Sequence, residues 1–359
     1  MADTHPIFCT IVPPHVLDQL ARAVDTAIAD LARRTLEADA SLRTQRRLNT
    51  VAGLLGAGPT ATPTPRTADA SDKPRRTIHD CGTRTRLPGE KVRSEGQEPG
   101  RDATVNRVYA GLGSTFELLL KSYGRNSLDG RGLPLIASVH YGKKYANAFW
   151  NGEQMVFGDG DGKIFLDFSL PVDVIAHELA HGLTQYTANL EYFGQSGALN
   201  ESVSDVFGSL VKQYTHDETA DQADWLIGAG LLAPAVSGVA LRSMKEPGTA
   251  YDDDVLGKDP QPGSMDDYVH TDRDNGGVHI NSGIPNRAFY LLATELGGKS
   301  WERAGQIWFD TLTGGELGER ANFTEFAGLT VAAARARYGE GAELAAVLKA
   351  WSLVGVATD

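Results

Sequence analysis

His177-Glu178-Leu179-Ala180-His181 stands where the hydrophobic rhythm of the chain turns from strand-like to helical. On a helix, two imidazoles four residues apart project from one face one turn apart, so both can reach a single metal ion with Glu178 beside them. A third ligand is still required. Gly197-Ala-Leu-Asn-Glu-Ser-Val-Ser-Asp205 supplies one in Glu201, on a second helical segment reached through a loop long enough to fold it back on the first. Two histidines and a carboxylate leave the fourth position of zinc for water, the arrangement of a catalytic rather than a structural site. Asn200 and Asp205 lie close to that ligand and are placed to orient the imidazoles by accepting their distal N–H protons.

Before this motif, Leu133-Pro-Leu-Ile-Ala-Ser-Val-His-Tyr and Gln154-Met-Val-Phe-Gly-Asp-Gly-Asp-Gly-Lys-Ile-Phe read as strands joined by Gly/Asn/Asp turns. After Pro171, helical spacing recurs over Val172 to Tyr186, Leu199 to Tyr214, Asn281 to Leu296, Trp301 to Thr313, Phe323 to Arg337 and Ala342 to Trp351. Near the start, Leu17, Leu20, Val24, Ile28 and Leu31 predict one amphipathic helix. From Ala52 to Arg76 the composition shifts to Gly, Ala, Thr and Pro and ends in Lys73-Pro-Arg-Arg, which suits an exposed, protease-sensitive linker. The expected fold is therefore α+β in two lobes: a front piece and linker over 1–75, a β-rich lobe over 76–186 that includes the metal-binding helix, and a helical lobe over 187–359.

The chain carries 46 acidic against 34 basic residues, a formal charge of −12, which argues against a nucleic-acid partner or an anionic membrane. No segment reads as a membrane span, since the best candidate, Leu226 to Leu241, holds three glycines and Pro234. Two cysteines make no disulfide framework. Met1 to Leu17 lacks a basic flank followed by an unbroken apolar run, so no secretory signal is expected. The protein is expected to be cytoplasmic or exported by a non-classical route, secretion being the preferred of the two, and to be a monomer.

His177-Glu-Leu-Ala-His-Gly-Leu-Thr-Gln-Tyr-Thr-Ala, Gly197 to Asp205 and Asp274-Asn-Gly-Gly-Val-His-Ile-Asn-Ser-Gly resemble the three signature blocks of the thermolysin-like zinc endopeptidases. The resemblance extends through Asn147-Ala-Phe-Trp-Asn-Gly and Gly158-Asp-Gly-Asp-Gly and covers the chain from about Thr77 onward. Cys9-Thr-Ile-Val-Pro-Pro-His-Val-Leu followed by a helix is similar to the short propeptide of the protealysin branch. The resemblance implies hydrolysis of peptide bonds on the amino side of hydrophobic residues. Zn2+ would acidify a water, and Glu178 would act as general base and then pass the proton to the leaving nitrogen. It implies His279 and Tyr192 as donors to the oxyanion, with Asp274 orienting the histidine. Asn147 and the backbone of Ala148 would pair with an extended peptide. Phe165, Phe168, Val174, Ile227, Leu231 and Leu241 would line the specificity pocket, with Arg242 at its edge to bond a substrate carbonyl. Phe168 stands where thermolysin has a smaller aliphatic residue, so the size limit of that pocket is not carried over.

The calcium pattern departs from the family. Asp173 and Asp224 match two ligands of a paired Ca2+ site, but Lys212 occupies a carboxylate position, and Leu226 and Ala229 replace two more. A lysine ammonium there repels a divalent cation and can pair with the aspartates, so a filled double site is not expected. Cys9 precedes Pro13-Pro14, a dipeptide that holds a chain extended as if crossing a cleft. Its thiolate could take the water's position on zinc, making the front piece the enzyme's own inhibitor; the alternatives are a buried apolar thiol or a contact with Cys81. Two rival functions stand beside the protease: a catalytically silent zinc-stabilised binding protein, and a zinc hydrolase of non-peptide substrates.

Overall fold

The computed structural model describes residues 9–54 and 72–358, with side chains for all of these but 43–54. Most of the Gly/Pro-rich linker lies outside the described residues. The front piece comprises β1 (Cys9–Thr10), α1 (Pro14–Leu20) and α2 (Thr26–Leu54). The single helix expected there is two. Asp25 interrupts it: its Oδ1 accepts from the backbone N–H of Ala27 at 2.9 Å and restarts the helix as a cap would. Val24, assigned by spacing to the apolar face, is fully exposed in the break at 100%. Pro14 opens α1 at the position where a missing N–H costs nothing.

The amino-terminal lobe holds β2 (Arg76–Asp80), β3 (Glu90–Ser94), α3 (Ala103–Tyr123), β4 (Leu135–Val139), β5 (Ala148–Trp150) and β6 (Met155–Phe157). Its sheet runs β1-β5-β6-β4-β2-β3, parallel at β6/β4 and β4/β2 and antiparallel elsewhere. The edge of this sheet is thus completed by the front piece, with Cys9 opposite Trp150 and Thr10 opposite Phe149. Helix α3 was not among the expected elements. Its signal is present nonetheless: Asp102 caps it by accepting from Val105 N–H, Val105, Val108, Leu112, Phe116 and Leu119 are buried along it, and Gly124 ends it in the left-handed conformation.

Beyond the sheet come α4 (Val172–Gln185) and α5 (Gly194–His216), then the short strands β7 (Leu226–Ile227) and β8 (Arg242–Ser243), then α6 (Asp274–Asn281), α7 (Gly283–Leu296), α8 (Ala304–Thr313), α9 (Phe323–Tyr338) and α10 (Ala342–Leu353). Every residue of α4 from Asp173 to Thr184 is buried, so this helix is the axis of the molecule rather than a surface element. Helix α5 crosses it closely at Gly208. A Cβ there would lie 2.7 Å from the Asp173 carbonyl oxygen and 3.5 Å from His177 Cβ, so only glycine admits this approach. One apolar core runs from the front piece through both lobes. With about 1.5–3 kcal/mol for each fully buried Ile, Val or Leu side chain, Ile11, Val12, Val16, Leu17 and Leu20 anchor the front piece strongly.

Candidate active site

The close α4–α5 crossing sets the two histidines of α4 against the carboxylate of α5. His177 Nε2 lies 3.6 Å from Glu201 Oε2, His181 Nε2 lies 3.5 Å from Glu201 Oε1, and the two Nε2 atoms are 3.0 Å apart. All three side chains are fully buried. Their outer nitrogens are engaged: His177 Nδ1 meets Asp205 Oδ1 at 2.8 Å and His181 Nδ1 meets Asn200 Oδ1 at 2.8 Å. Asn200 Nδ2 donates to the Leu190 carbonyl, which leaves its Oδ1 as the acceptor toward His181. Both Nδ1 atoms therefore donate, which leaves both Nε2 atoms directed at the shared point. Burial holds the His181 pKa down at about 3, so that ring is neutral at pH 7. Two ring nitrogens and a carboxylate at one buried point form an N/O donor set that suits zinc. Glu201 Oε2 and both oxygens of Glu178 accept no full hydrogen bond, although all are buried. The described residues thus fit the metal that the motif implies.

Glu178 faces the same point. Burial, reinforced by the Glu201 carboxylate, pushes its pKa well above the ordinary value, while the backbone N–H groups of Trp150 and Ile11 beside it act the other way. Asp205 is held by more than His177: Arg242 donates to it twice, at 2.8 Å each, and Asn286 Nδ2 once, at 2.8 Å. Burial would raise its pKa, but the Arg242 cation first, and then His177, outweigh it and keep it well below the ordinary carboxylate range. Neither Asn286 nor Ser204, whose Oγ stands 3.0 Å from His181 Nδ1, carries any motif signal that would have singled it out.

His279 enters from α6. Its helical run begins only after Asp274, Asn275, Gly276 and Gly277, which all have positive φ. This left-handed turn folds the Asp274 carboxylate back under the ring, where Oδ1 meets Nδ1 at 2.6 Å and Oδ2 accepts the His279 backbone N–H at 2.9 Å. Burial alone would lower the His279 pKa, but Asp274 and then Glu201 outweigh it and hold the imidazolium at about 9. Tyr192 donates its hydroxyl to Glu201 Oε1, and that hydroxyl oxygen is 3.2 Å from His279 Nε2.

The first strand of the chain occupies the groove between these groups. His279 Nε2 donates to the Thr10 carbonyl at 2.9 Å, Ile11 N–H donates to the Ala148 carbonyl at 3.1 Å, Arg242 Nη1 donates to the Ile11 carbonyl at 3.0 Å, and Val12 N–H donates to Asn147 Oδ1 at 2.9 Å. Asn147 is steadied in turn by Asp39 of α2, which accepts from its Nδ2 at 3.2 Å and from the Tyr145 hydroxyl. Phe165, Phe168, Val174, Ile227, Leu231 and Leu241 are buried in the same core as Ile11. Phe165 also lines a small cavity with Leu17, Leu20 and Leu31 of the front helices. Cys9 is buried, and its Sγ, a ring nitrogen of His181 and a carboxylate oxygen of Glu201 all lie within 4.8 Å of one another. It forms no disulfide with Cys81, which follows β2 and directs its thiol to the Pro88 carbonyl at 3.7 Å. At the position of the expected calcium ligands, Lys212 Nζ stands 3.0 Å from Asp173 Oδ2 and 2.7 Å from Asp224 Oδ1 and donates to the Leu226 carbonyl at 2.8 Å.

Residues 64–185 match the family described as "Thermolysin metallopeptidase, catalytic domain", and residues 188–356 match "Thermolysin metallopeptidase, alpha-helical domain". The chain is 50% identical to the "Extracellular metalloprotease" of Pectobacterium carotovorum subsp. carotovorum over 97% of its own length and 96% of that protein's. It is 46% identical to "Protease PrtS" of Photorhabdus sp. (strain Az29), over 96% and 91% of the two chains. Among solved structures, the "Precursor of Protealysin, Metalloproteinase from Serratia proteamaculans" superposes with a TM-score of 0.87 at 49% identity, covering 97% of this chain and 100% of that one.

Proposed function

The chain belongs to the thermolysin family of metallopeptidases, and from that membership we propose how its residues divide the work. It is a zinc-dependent neutral endopeptidase of the protealysin-type branch, made as a precursor, and peptides or proteins are its substrates. His177, His181 and Glu201 would hold the zinc, with Asp205 and Asn200 fixing the imidazoles from behind. The metal, when held, acidifies a water molecule and so supplies a nucleophile at neutral pH. Glu178 takes the proton of the attacking water and returns it to the leaving amine, a double duty suited to a buried carboxyl whose pKa is driven up. His279, kept cationic by Asp274, and Tyr192 donate to the oxygen that gains charge. The observation that carries this reading is the convergence of the two Nε2 atoms and the Glu201 carboxylate on one buried point, with the unpartnered Glu178 oxygens beside it.

Asn147 and Ala148 bind the substrate backbone along the edge of β5, and Arg242 bonds the carbonyl that follows the scissile bond. The six apolar residues from Phe165 to Leu241 select a hydrophobic side chain on the carboxyl side of that bond. Residues 1–75 form the propeptide and linker, 76–186 the first catalytic lobe and 187–359 the second. The propeptide blocks the groove, and Cys9 would add a thiolate to the residues that hold the zinc. No double calcium site forms, because the Lys212 ammonium already neutralises Asp173 and Asp224. The Pectobacterium relative is named extracellular, which supports export of this chain. Among the described residues no helix is long and apolar enough to cross a membrane.

Casein, or a short peptide with Leu after the scissile bond, tests the reading. The processed protein should cleave it, a zinc chelator should abolish cleavage, and Glu178→Gln should slow it by about 10²–10⁴-fold, the usual worth of a general base. Cleavage that survives both the chelator and the substitution would refute the assignment.

A further inference from the structure

The front strand does more than fill the groove. Four consecutive backbone atoms are held, each by a different partner: the Thr10 carbonyl by His279, the Ile11 N–H by the Ala148 carbonyl, the Ile11 carbonyl by Arg242 and the Val12 N–H by Asn147. These are the groups assigned above to a substrate, met in the order in which a substrate running antiparallel to β5 would meet them. The carbonyl to be attacked belongs on the oxyanion donor, and here that is the Thr10 carbonyl. The leaving nitrogen belongs near the general acid, and here the Ile11 N–H, which donates to the Ala148 carbonyl, lies beside Glu178. The residue after the scissile bond should be apolar and enclosed, and Ile11 is fully buried at 0% exposure. A shift by one residue would present a neighbouring peptide bond to the same partners, so it is the observed register, with the Thr10 carbonyl on His279 and the Ile11 carbonyl on Arg242, that presents the Thr10–Ile11 bond.

One position is different from that of a bound substrate. Cys9 Sγ lies within 4.8 Å of donor atoms of His181 and Glu201, two of the three residues that would hold the metal. We propose that the strand is a stalled substrate: the Thr10–Ile11 peptide bond is a self-cleavage site in productive register, kept intact because the Cys9 thiol displaces the water that would cut it. Without the thiol, hydroxide from water adds to the Thr10 carbonyl carbon, the C–N bond to Ile11 breaks, and the proton taken up by Glu178 passes to the Ile11 nitrogen. The products are a ten-residue acid, residues 1–10, and a chain beginning at Ile11. This inference rests on the metallopeptidase reading of the site and adds to it the bond and the reason that it survives.

The test follows full-length, zinc-loaded Cys9→Ser precursor by mass spectrometry. Loss of residues 1–10 is expected, at a rate independent of protein concentration and absent from the Cys9→Ser/Glu178→Gln double variant, while the unaltered precursor keeps the bond. A readout separate from turnover is the alkylation of Cys9 in the unaltered precursor: zinc should slow it and a chelator should restore it. If Cys9→Ser fails to fold, a synthetic peptide of residues 5–16 decides. With Cys9→Ser, processed enzyme should cut it between Thr10 and Ile11; with the native cysteine it should inhibit. An uncut bond in both precursor and peptide, from enzyme that still cleaves casein in a chelator-sensitive way, overturns the proposal and leaves the protease reading standing. Failure to cleave casein as well overturns both. Alkylation of Cys9 at the same rate with and without zinc removes the role of the thiol.

Discussion

His279, proposed as an oxyanion donor, is held by a network of neighbours distant in sequence from the metal motif. Asp274 holds its Nδ1 and its backbone N–H, and Gln261 Nε2 donates to its carbonyl at 2.7 Å. The ring is thereby fixed with Nε2 aimed at the carbonyl in the groove, so no reorganisation is needed when that oxygen gains charge. Removing such a donor typically costs about 10²–10³ in turnover. His279→Ala is expected to lower kcat by that factor with little change in KM, measured on a short peptide with processed enzyme; an unchanged kcat would remove His279 from the chemistry. Arg242 does more than bond a carbonyl in the groove, the contact that the resemblance implies for it. In the structure its Nε and Nη2 clamp Asp205, which orients His177, while Nη1 reaches the Ile11 carbonyl. A planar guanidinium with five donors in a fixed fork can serve both ends at once, which a lysine could not.

Helix α4 was legible because His177 and His181 sit on a periodic apolar segment, and α5 and α7 to α10 repeat that periodicity with boundaries within about five residues of those expected, whereas α6 was not expected. The break between α1 and α2 was not legible, because Leu20, Val24 and Ile28 keep a helical spacing across it and only the local hydrogen bond from Ala27 N–H to Asp25 competes with the helix. Nor was the left-handed turn over Asp274 to Gly277, where the Asn-Gly-Gly composition suggests a turn but not which carboxylate it folds inward. The α3 terminus carries a further consequence. His140, after β4, bonds Asp159 Oδ1 through Nδ1 at 2.7 Å and Asp102 Oδ2, in the α3 cap, through Nε2 at 2.9 Å. The Asp159 bond first, then Asp102, outweigh burial and raise its pKa from 6.5 to about 9. Because the folded-state value is the higher, the stabilisation is fully present below the unfolded pKa of 6.5 and is lost as pH rises through about 9. Denaturant midpoints at about pH 6 and about pH 10 should therefore fall further for the unaltered protein than for His140→Gln. An equal fall in both would show that this clamp contributes nothing to the pH dependence.

The two lobes and the front piece share one core, and the groups proposed for catalysis lie at their junction: the proposed metal donors from α4 and α5, His279 from α6, the proposed binding edge from β5, and the strand seated against it, β1. The sequence motifs place the first three of these. The fourth was legible only as an extended Cys9-to-Pro14 segment, since which atoms of the strand meet which groups depends on a register that no local pattern encodes. Latency in this arrangement depends on Ile11 being enclosed. Ile11→Asp would bury a carboxylate in an apolar pocket, an arrangement costing several kcal/mol, and should unseat the strand. Such a precursor is expected to cleave peptide substrate at once, with mass spectrometry showing the chain still whole during the initial rate. A variant as silent as the unaltered precursor would mean that the front helices alone enforce latency.

X-ray absorption at the zinc edge of the full-length precursor tests the central claim most directly. His177, His181, Glu201 and Cys9 around one ion should give nitrogen and oxygen neighbours at about 2.0–2.2 Å and a single sulfur at about 2.3 Å, the sulfur vanishing in Cys9→Ser. A precursor that binds no zinc, or binds it with nitrogen and oxygen neighbours alone, would contradict the account.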